Sequence, residues 1–387
     1  MRNLINIRIP GPLNTSLNEE LWWVQVDKND EICSLKPMLD GAEPSLKGED
    51  WHGDLLSPRG VDLQINGGLG LSFTDFNVQQ LPQLNELLDL LWSDGVEAIA
   101  PTLVSCSVSS LRNSLMAFRQ ARKQSSNRRC KLLGAHLEGP FLAPTFQGAH
   151  DPNQICLPSL HALNERIRGF EKEIALVTLA PELQGSIEVI RKLNELGILV
   201  SLGHSAANTE QCKAAFDLGV SMITHCFNAM PEINHREPGP VVVALLQDEI
   251  AMGLIADGVH VHPNVALILH KLAANRLFLV SDALAPYGLQ EKCFKWDQRF
   301  LYIEEGSCRL GDGTLAGTTS SLLNGCIKLA KWTGNPSSAI WAATVSPRLL
   351  FQKGKKIQEF FIGRSLKELL RWQFHLESNL LNWKPAE

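Results

Sequence analysis

Five short apolar stretches of the chain each end in a carboxylate or an imidazole. They are "HLEGP" with Glu138, "GHS" with His204, "THCFNAM" with His225, "ADGVH" with His260 and "VSDALAP" with Asp282. In parallel α/β barrels the catalytic groups lie at the carboxyl ends of the strands, where one rim brings them together. If these stretches are barrel strands, the chain collects five titratable groups at one rim, which indicates catalysis.

Glu138, His204 and His225 have the composition of a catalytic zinc site. A His₂Glu set supplies three protein ligands and leaves one position open for water. The three residues come from separate stretches, so only a barrel places them side by side. Each of them singly has a structural alternative, a hydrogen-bonded buried histidine or a carboxylate that caps a helix, but the three together favour the metal site.

Asp282 follows "LFLV" and Ser281, so it stands at the end of a buried strand. Burying a lone carboxylate is costly unless it is paired or functional. The functional interpretation is a general base that takes a proton from a metal-activated water and later delivers it to a leaving amine. The structural alternative is a helix N-cap or a salt bridge.

Three further side chains are candidates for binding a substrate. His150 lies in the loop "QGAHDPN" and His260 ends its own stretch; either imidazole can donate to a carbonyl or hydroxyl group. Arg236, in "NHREPGP", suits two-point capture of a phosphate or a carboxylate. Each of the three is as compatible with a structural role, as a buried histidine or in a surface ion pair.

These side chains need an alternation of strands and helices to position them. From about residue 57, apolar stretches alternate with amphipathic helical patterns such as "LPQLNELLDLLWSDG" and "SIEVIRKLNELG". With "VDLQING" and "IAPTLVS" the strand candidates number eight over roughly 250 residues, which is typical of an α/β fold of the (β/α)₈ TIM-barrel type. A doubly wound sheet is the competitor, but its G-x-G-x-x-G signature is absent after the first strand.

The chain divides into three parts by its sequence pattern. Residues 1–56 predict a small β module, residues 57–345 predict the barrel, and residues 346–387 form a C-terminal segment of mixed pattern that we expect to return to the β module. The length of 387 residues agrees with one large barrel and an accessory domain.

Composition excludes several classes of protein. A net charge of −5 argues against non-specific binding to nucleic acid. The nine cysteines form no C-x-x-C pair and fit the reduced thiols of a cytoplasmic protein. The N-terminus "MRNLINIRIPGPLNTS" has no apolar signal-peptide region, and no apolar run approaches the roughly 20 residues that cross a bilayer. We therefore expect a cytoplasmic protein without a nucleic-acid or membrane partner.

Taken in chain order, the motifs resemble those of the N-acetylglucosamine-6-phosphate deacetylase family of the amidohydrolase superfamily. The matching stretches are "GVDLQINGG", "HLEGPF", "GAHDPN", "VTLAPE", "GHSAA", "THCFNAMPEINHREPG", "IADGVHV", "LVSDALAP" and "TLAGTT". The resemblance implies a (β/α)₈ barrel with a small β-sandwich domain formed by the chain termini. It also implies hydrolysis of the acetamide of N-acetyl-D-glucosamine 6-phosphate to glucosamine 6-phosphate and acetate.

The resemblance implies a role for each matching residue. Glu138, His204 and His225 would hold the metal, Asp282 would act as acid and base, and His150 would polarise the acetyl carbonyl. The phosphorylated amino sugar would also be contacted by Asn228, the Ala229 backbone, Arg236, His260 and Leu315. In this family the arginine of "REPG" often reaches the site of a neighbouring subunit, so a homodimer is implied.

Gln64 and Asn66 stand where some family members carry His-x-His and bind two metals, while others carry Gln-x-Asn and bind one. Neutral amides are poor zinc ligands. We therefore expect one divalent metal ion per subunit, Zn²⁺ or, as the alternative, Fe²⁺. In place of a second metal site, the two amides would hydrogen-bond to bound water or to the ligand carboxylate.

Two other functions stay open. One is an amidohydrolase that cuts a different N-acyl group or a cyclic amide, against which the phosphate-binding motif "NAMPEINHREPG" argues. The other is a non-catalytic, amidohydrolase-like binding protein. The missing His-x-His motivates that second hypothesis, and the intact set of Glu138, His204, His225 and Asp282 opposes it. The segment "GRSLKELLRW" departs from the family's usual ending, which leaves the last strands of the sandwich undefined.

Overall fold

A computed structural model describes residues 1–38, 47–124 and 129–387. Residues 39–46, within the predicted N-terminal β module, and residues 125–128 lie outside the described part. The chain forms two compact units. The terminal unit comprises Met1–Val61, Pro263–Phe278 and Cys326–Glu387, and the barrel unit comprises Asp62–His262 and Leu279–Gly325.

Parallel strands in consecutive order build the barrel within the described residues. We call them the first to eighth barrel strands, and they are Gly60–Ile65, Val96–Val104, Ala135–Glu138, Ile174–Leu179, Leu199–Leu202, Met222–Ile223, Ala251–Leu254 and Leu277–Leu279. A further short strand, Lys131–Leu132, pairs with the second barrel strand. Just beyond the last strand, Asp282 N donates to Gln64 O at 2.9 Å and Asn66 N donates to Ala283 O at 2.7 Å. These bonds join the two ends of the sheet and confirm the predicted TIM barrel.

A helix follows each barrel strand in the chain. The helices are Leu81–Ser93, Val108–Arg122, Leu160–Ile167, Ser186–Glu195, Thr209–Asp217, Gly239–Leu245, Pro263–Ala273 and Leu322–Thr333. Their starts agree with local sequence, because the side chains of Ser107, Ser159 and Asn208 accept the amide hydrogen three residues on. Leu84, Leu87, Leu88 and Leu91 recur at helical spacing on the first helix and are buried.

The terminal unit contains two antiparallel-rich sheets built from both ends of the chain. One sheet has the order Ile32–Pro37, Trp22–Val26, Arg2–Ile7, Glu49–Asp50, and the other has the order Leu380–Pro385, Leu369–His375, Leu55–Pro58. Leu4, Val24 and Trp51 share one buried cluster with Phe361 and Leu369. The helices Pro336–Thr344 and Ser346–Leu349 belong to the same unit. The predicted sandwich of chain termini is confirmed.

A four-stranded antiparallel sheet lies between the eighth barrel strand and its helix, and sequence reasoning did not anticipate it. Its strands are Cys293–Trp296, Arg299–Glu304, Ser307–Arg309 and Leu315–Thr318. Leu301 and Cys308 bury one face of this sheet in a cluster with Leu284, while Phe300 and Tyr302 are exposed on the other. The signal was the run of strand-favouring residues in "RFLYIE" followed by the turn Glu305–Gly306, both residues of which have positive φ.

A short hairpin, Gly67–Gly68 with Leu71–Ser72, follows the first barrel strand.

None of the helices in the described ranges is long and apolar enough to cross a bilayer.

Candidate active site

The carboxyl ends of the barrel strands surround one cavity of about 220 Å³. Glu138 is the last residue of the third strand, and His204, His225 and Asp282 follow the fifth, sixth and eighth strands within three residues. The predicted site residues that line the cavity are Asn66, Glu138, His150, His204, His225, Asn228, Ala229, His260, Asp282 and Leu315. Gln64 is buried and hydrogen-bonds to two of them.

Glu138, His204 and His225 bring three ligand atoms together. His225 Nε2 lies 3.0 Å and His204 Nε2 lies 3.3 Å from Glu138 Oε1, and the two Nε2 atoms are 3.1 Å apart. All three side chains are buried, and their potential ligand atoms lie within 4.8 Å of one another. The cluster could hold a metal ion, and it has the His₂Glu composition that catalytic zinc sites use.

The protonation pattern of this cluster fits a cation. Because the Phe146 carbonyl only accepts, His204 Nδ1, 2.9 Å from it, carries the hydrogen. The lone pair of His204 Nε2 therefore faces His225 and Glu138, so acceptor atoms crowd together unless a proton or a metal ion lies among them. Burial opposes the ionisation of Glu138, but hydrogen bonds and positive charge from protonated His204 and His225 outweigh it and lower the pKa of Glu138 well below its usual value, so a positive charge at this place keeps Glu138 ionised.

The backbone at these strand ends is strained. His204 and Asp282 both have φ of 49°, and His225 has φ of 21°, in a region that residues other than glycine rarely adopt. Such conformations persist where the surrounding fold fixes them, and they concentrate at functional sites. The barrel therefore holds these three side chains toward the cavity at a cost in local backbone energy.

Gln64 and Asn66 turn their amide donors toward the two buried carboxylates. Gln64 Nε2 donates to Glu138 Oε1 at 2.8 Å and reaches Asp282 Oδ1 at 3.5 Å, and Asn66 Nδ2 donates to Asp282 Oδ1 at 2.7 Å. On its other side, Gln64 Oε1 accepts a 2.6 Å hydrogen bond from Thr224 Oγ1. In this orientation the amides present hydrogen atoms, not lone pairs, so they cannot ligate a cation between the carboxylates.

Asp282 is held as a proton acceptor of raised basicity. Burial, and next the charge of Glu138, raise the pKa of Asp282 well above its ordinary value, while the Asn66 hydrogen bond acts in the opposite direction. A carboxylate with a raised pKa takes up a proton at a pH where an ordinary aspartate stays ionised. The position and the basicity of Asp282 therefore suit general acid–base chemistry.

His150 enters the cavity from the loop after the third strand. Its ring stands edge-on to the His204 ring at a centroid distance of 4.6 Å, and its Nε2 lies 3.9 Å from Glu138 Oε2. Burial, and next the charge of His204, lower the pKa of His150 to about 3. His150 is therefore a neutral imidazole at physiological pH.

Residues around the sixth and seventh strands line another side of the cavity. Asn228 Nδ2 donates to the carbonyls of His225 and Cys226, both at 3.2 Å, which fixes its side chain. His260 Nδ1 lies 2.6 Å from Asp257 Oδ2, and the two side chains are only 4% and 7% exposed. A buried carboxylate at this distance orients the imidazole, so that its other nitrogen is available for a ligand.

Of the predicted site residues, Gln64 reaches the site through hydrogen bonds to Glu138 and Asp282, whereas Arg236 does not line the cavity. Arg236 lies in the exposed stretch 232–237, where its backbone amide donates to Asn234 Oδ1 at 2.9 Å. The residues that line the cavity include no arginine in the described part of the chain.

Sequence reasoning missed several residues of this site, among them three that hydrogen-bond to predicted side chains and one aromatic residue on the cavity wall. Thr224 and Asp257 hold Gln64 and His260, Ser105 contacts His150, and Trp296 lines the cavity from the unanticipated sheet. Thr224 lies in the quoted motif "THCFNAM" and Asp257 lies in "ADGVH". Their places beside strand-end residues were therefore visible in the sequence as possible hydrogen-bond partners. Ser105 ends the quoted stretch "IAPTLVS", which is a signal of the same kind, whereas Trp296 had none in the local pattern.

A parallel α/β barrel with this Glu/His/His cluster and an opposing aspartate at its carboxyl rim defines a metal-dependent hydrolase of the amidohydrolase type. No protein-family model matches the chain. It is 32% identical over 296 residues to N-acetylgalactosamine-6-phosphate deacetylase of Escherichia coli O157:H7, covering 76% of this chain and 77% of that protein. It is 33% identical over 333 residues to N-acetylglucosamine-6-phosphate deacetylase of Caenorhabditis elegans, covering 81% and 78%.

The fold agrees with solved structures. The structure of an N-acetyl-D-glucosamine-6-phosphate deacetylase mutant from Mycobacterium smegmatis, in complex with N-acetyl-D-glucosamine-6-phosphate, matches with a TM-score of 0.77 and 26% identity over 91% of this chain and 90% of that one. The chain belongs to the N-acetylglucosamine-6-phosphate deacetylase family.

Proposed function

We propose that this chain hydrolyses the acetamide of N-acetyl-D-glucosamine 6-phosphate to D-glucosamine 6-phosphate and acetate. The observation that carries the proposal is the meeting of Glu138, His204 and His225 with Asp282 in one buried cavity of a chain of this family. The relative from Mycobacterium smegmatis was solved with this sugar phosphate bound, which supports the same substrate class here.

We propose that Glu138, His204 and His225 hold one divalent metal ion per subunit, Zn²⁺ first and Fe²⁺ as the alternative. The nitrogen and carboxylate donors suit either ion. When bound, such an ion acidifies a water and withdraws electron density from an amide carbonyl. The donor-facing amides of Gln64 and Asn66 support a single ion, because they fill the neighbouring position with hydrogen atoms.

Asp282 would take the proton from the attacking water and pass it to the nitrogen of the leaving amine. Its raised pKa supports the first transfer, and its burial keeps the proton from exchanging into bulk solvent before the second. Gln64 donates to Glu138 and Asn66 donates to Asp282, so the two amides stabilise both carboxylates without adding charge.

His150 would polarise the acetyl carbonyl, and Asn228, the Ala229 backbone, His260 and Leu315 would contact the sugar phosphate. Their shared place on the cavity wall supports these assignments. Arg236 would reach the phosphate across a homodimer interface, since it lies on an exposed loop of its own chain. The nine cysteines all lie in the described ranges and none of them forms a disulfide, which fits a reducing compartment such as the cytoplasm.

A second candidate substrate is N-acetyl-D-galactosamine 6-phosphate. The Escherichia coli relative named for that sugar is 32% identical to this chain. The two sugars differ only in the configuration of one hydroxyl group, and a single hydrogen bond distinguishes such a difference.

The test measures acetate release from both sugar phosphates by purified protein, with metal content quantified on the same sample. Turnover with about one metal ion per chain supports the proposal. A preference for the galacto sugar selects the second candidate. Absence of turnover on either sugar at every metal loading overturns the deacetylase function and favours the binding-protein alternative.

A further inference from the structure

Ser105 contacts the inner nitrogen of His150 in the barrel unit. Ser105 follows the second barrel strand directly, and its backbone N–H donates to His150 Nδ1 at 3.2 Å. The Ser105 hydroxyl oxygen lies 2.9 Å from the same nitrogen. Ser105 is 7% and His150 is 6% exposed, so water does not compete for these hydrogen bonds.

A backbone N–H has one chemical option, which is to donate. His150 Nδ1 must therefore be an acceptor, because a hydrogen on that nitrogen would point at the amide hydrogen of Ser105. In a neutral imidazole with an unprotonated Nδ1, the hydrogen is on Nε2. The Ser105 amide thus selects one of the two tautomers of His150.

The selected tautomer turns its hydrogen toward the cavity. His150 Nε2 is the ring nitrogen nearest to Glu138, and its 3.9 Å separation from Glu138 Oε2 is too long for a hydrogen bond. Both residues line the same cavity. The Nε2–H is therefore a donor for a ligand that enters the cavity, and the nitrogen has no lone pair with which to accept a proton.

We propose that Ser105 is a positioning residue, whose backbone amide fixes His150 as the Nε2–H tautomer so that His150 is a hydrogen-bond donor to the substrate's acyl oxygen and not a base. This inference rests on the proposed deacetylase function for the identity of the acceptor, but the tautomer itself does not. Under this proposal Asp282 transfers protons, and His150 donates a hydrogen bond without transferring a proton.

Nitrogen-15 NMR of the zinc-loaded protein, labelled at histidine, tests the tautomer directly. Protonated and unprotonated ring nitrogens resonate in separate ranges, and two-bond correlations to the ring protons tell Nδ1 from Nε2. The His150 signals are assigned by their loss in His150→Gln. We expect a protonated Nε2 and an unprotonated Nδ1; the reverse pattern, or two protonated nitrogens, overturns the proposal. This readout needs no turnover, so it is independent of whether the deacetylase function holds.

The Ser105→Ala variant separates the backbone amide from the hydroxyl. It keeps the N–H and removes only the hydroxyl, so the Nε2–H pattern should remain. A switch to the Nδ1–H tautomer in this variant would assign the selection to the hydroxyl and overturn the role given to the backbone.

A pair of substitutions at His150 tests the position of the donor. The amide nitrogen of glutamine superposes on Nε2, whereas that of asparagine superposes on Nδ1. We expect His150→Asn to lower kcat about 100-fold, the typical cost of one lost donor to a developing oxyanion, and His150→Gln to retain at least about tenfold more. Equal losses in the two variants overturn donation from the Nε2 position, because neither amide can serve as a base.

Discussion

Asn66 donates a 2.7 Å hydrogen bond from Nδ2 to Oδ1 of Asp282, the carboxylate that closes the site at the end of the eighth barrel strand. Because the amide nitrogen of Asn66 makes this hydrogen bond, the side-chain carbonyl oxygen of Asn66 points away from Asp282. That oxygen is buried and meets no donor among the described residues, so it is an acceptor for water or a ligand. Asn66 thereby links Asp282, the carboxylate proposed as acid and base, to the cavity through hydrogen bonds.

Asp282→Asn should retain the metal but lose turnover. An amide has nearly the same shape as the carboxylate, but it cannot take a proton from water, and general base catalysis contributes about 100- to 10,000-fold. Acetate release and metal content are measured on the same preparations. The exposed Asp248→Asn is the matched control and should behave like the parent protein. Near-normal activity of Asp282→Asn would remove Asp282 from its role.

The double substitution Gln64→His with Asn66→His should raise the metal content above one ion per chain. Imidazoles offer lone pairs where the two amides now direct hydrogen atoms to Glu138 and Asp282. Elemental analysis after dialysis against zinc gives the stoichiometry. Alanine at both positions is the control, since it removes the amides without adding ligands. Two ions in the parent protein would contradict the one-metal expectation.

Thr224→Val should lower the free energy of unfolding by about 1–3 kcal/mol, because it leaves the buried Gln64 Oε1 without its donor. The Gln64 amide, no longer held by Thr224, should also lower turnover because it donates to Glu138 and Asp282, with little change in metal content. Urea denaturation and acetate release are compared with Thr224→Ser, which keeps the hydroxyl. If valine and serine variants are equally stable, the hydrogen bond to Gln64 contributes nothing measurable.

His270 should make the protein less stable in mild acid. Burial lowers the pKa of His270 from 6.5 to about 4, while its ring hydrogen-bonds to Ser338 Oγ at 2.6 Å. Between these two pH values the unfolded chain binds a proton that the folded chain does not, so stability falls as the pH falls from 6.5 to 4 and is level below that. The loss amounts to at most about 3 kcal/mol.

Urea midpoints between pH 4 and 7.5 check this dependence. His270→Gln should flatten the slope in that window relative to the parent protein. His161→Gln is the control, because the His161 side chain is 84% exposed. An unchanged slope in His270→Gln would show that His270 is not the group responsible.

Arg236→Ala should raise KM for the phosphorylated sugar more than for the unphosphorylated sugar. Arginine binds phosphate by two parallel hydrogen bonds, and its loss removes binding that is uniform along the reaction, so KM changes more than kcat. Steady-state kinetics on both sugars are compared with Arg191→Ala, an exposed arginine on the helix Ser186–Glu195. Equal effects on the two sugars count against phosphate recognition by Arg236.

The sequence by itself determined the barrel and the types of chemical group at its rim. Glu138, His204, His225 and Asp282 each end an apolar stretch, and strand ends in a parallel barrel share one rim, so local pattern sufficed to bring them together. The roles of individual residues stay proposals, because a motif specifies the side chain but not its partners. The sheet that carries Trp296 and Leu315 was not predicted because it interrupts the strand–helix alternation by which the barrel strands were recognised.

Only the tertiary structure decided which way the polar side chains of the site turn. Thr224 and Gln64 are 160 residues apart, and Ser105 and His150 are 45 residues apart, yet these contacts set the direction of an amide and the tautomer of an imidazole. A hydrogen bond depends on distances of a few tenths of an ångström and on angles. Those are fixed only when the barrel closes and strands distant in sequence become neighbours.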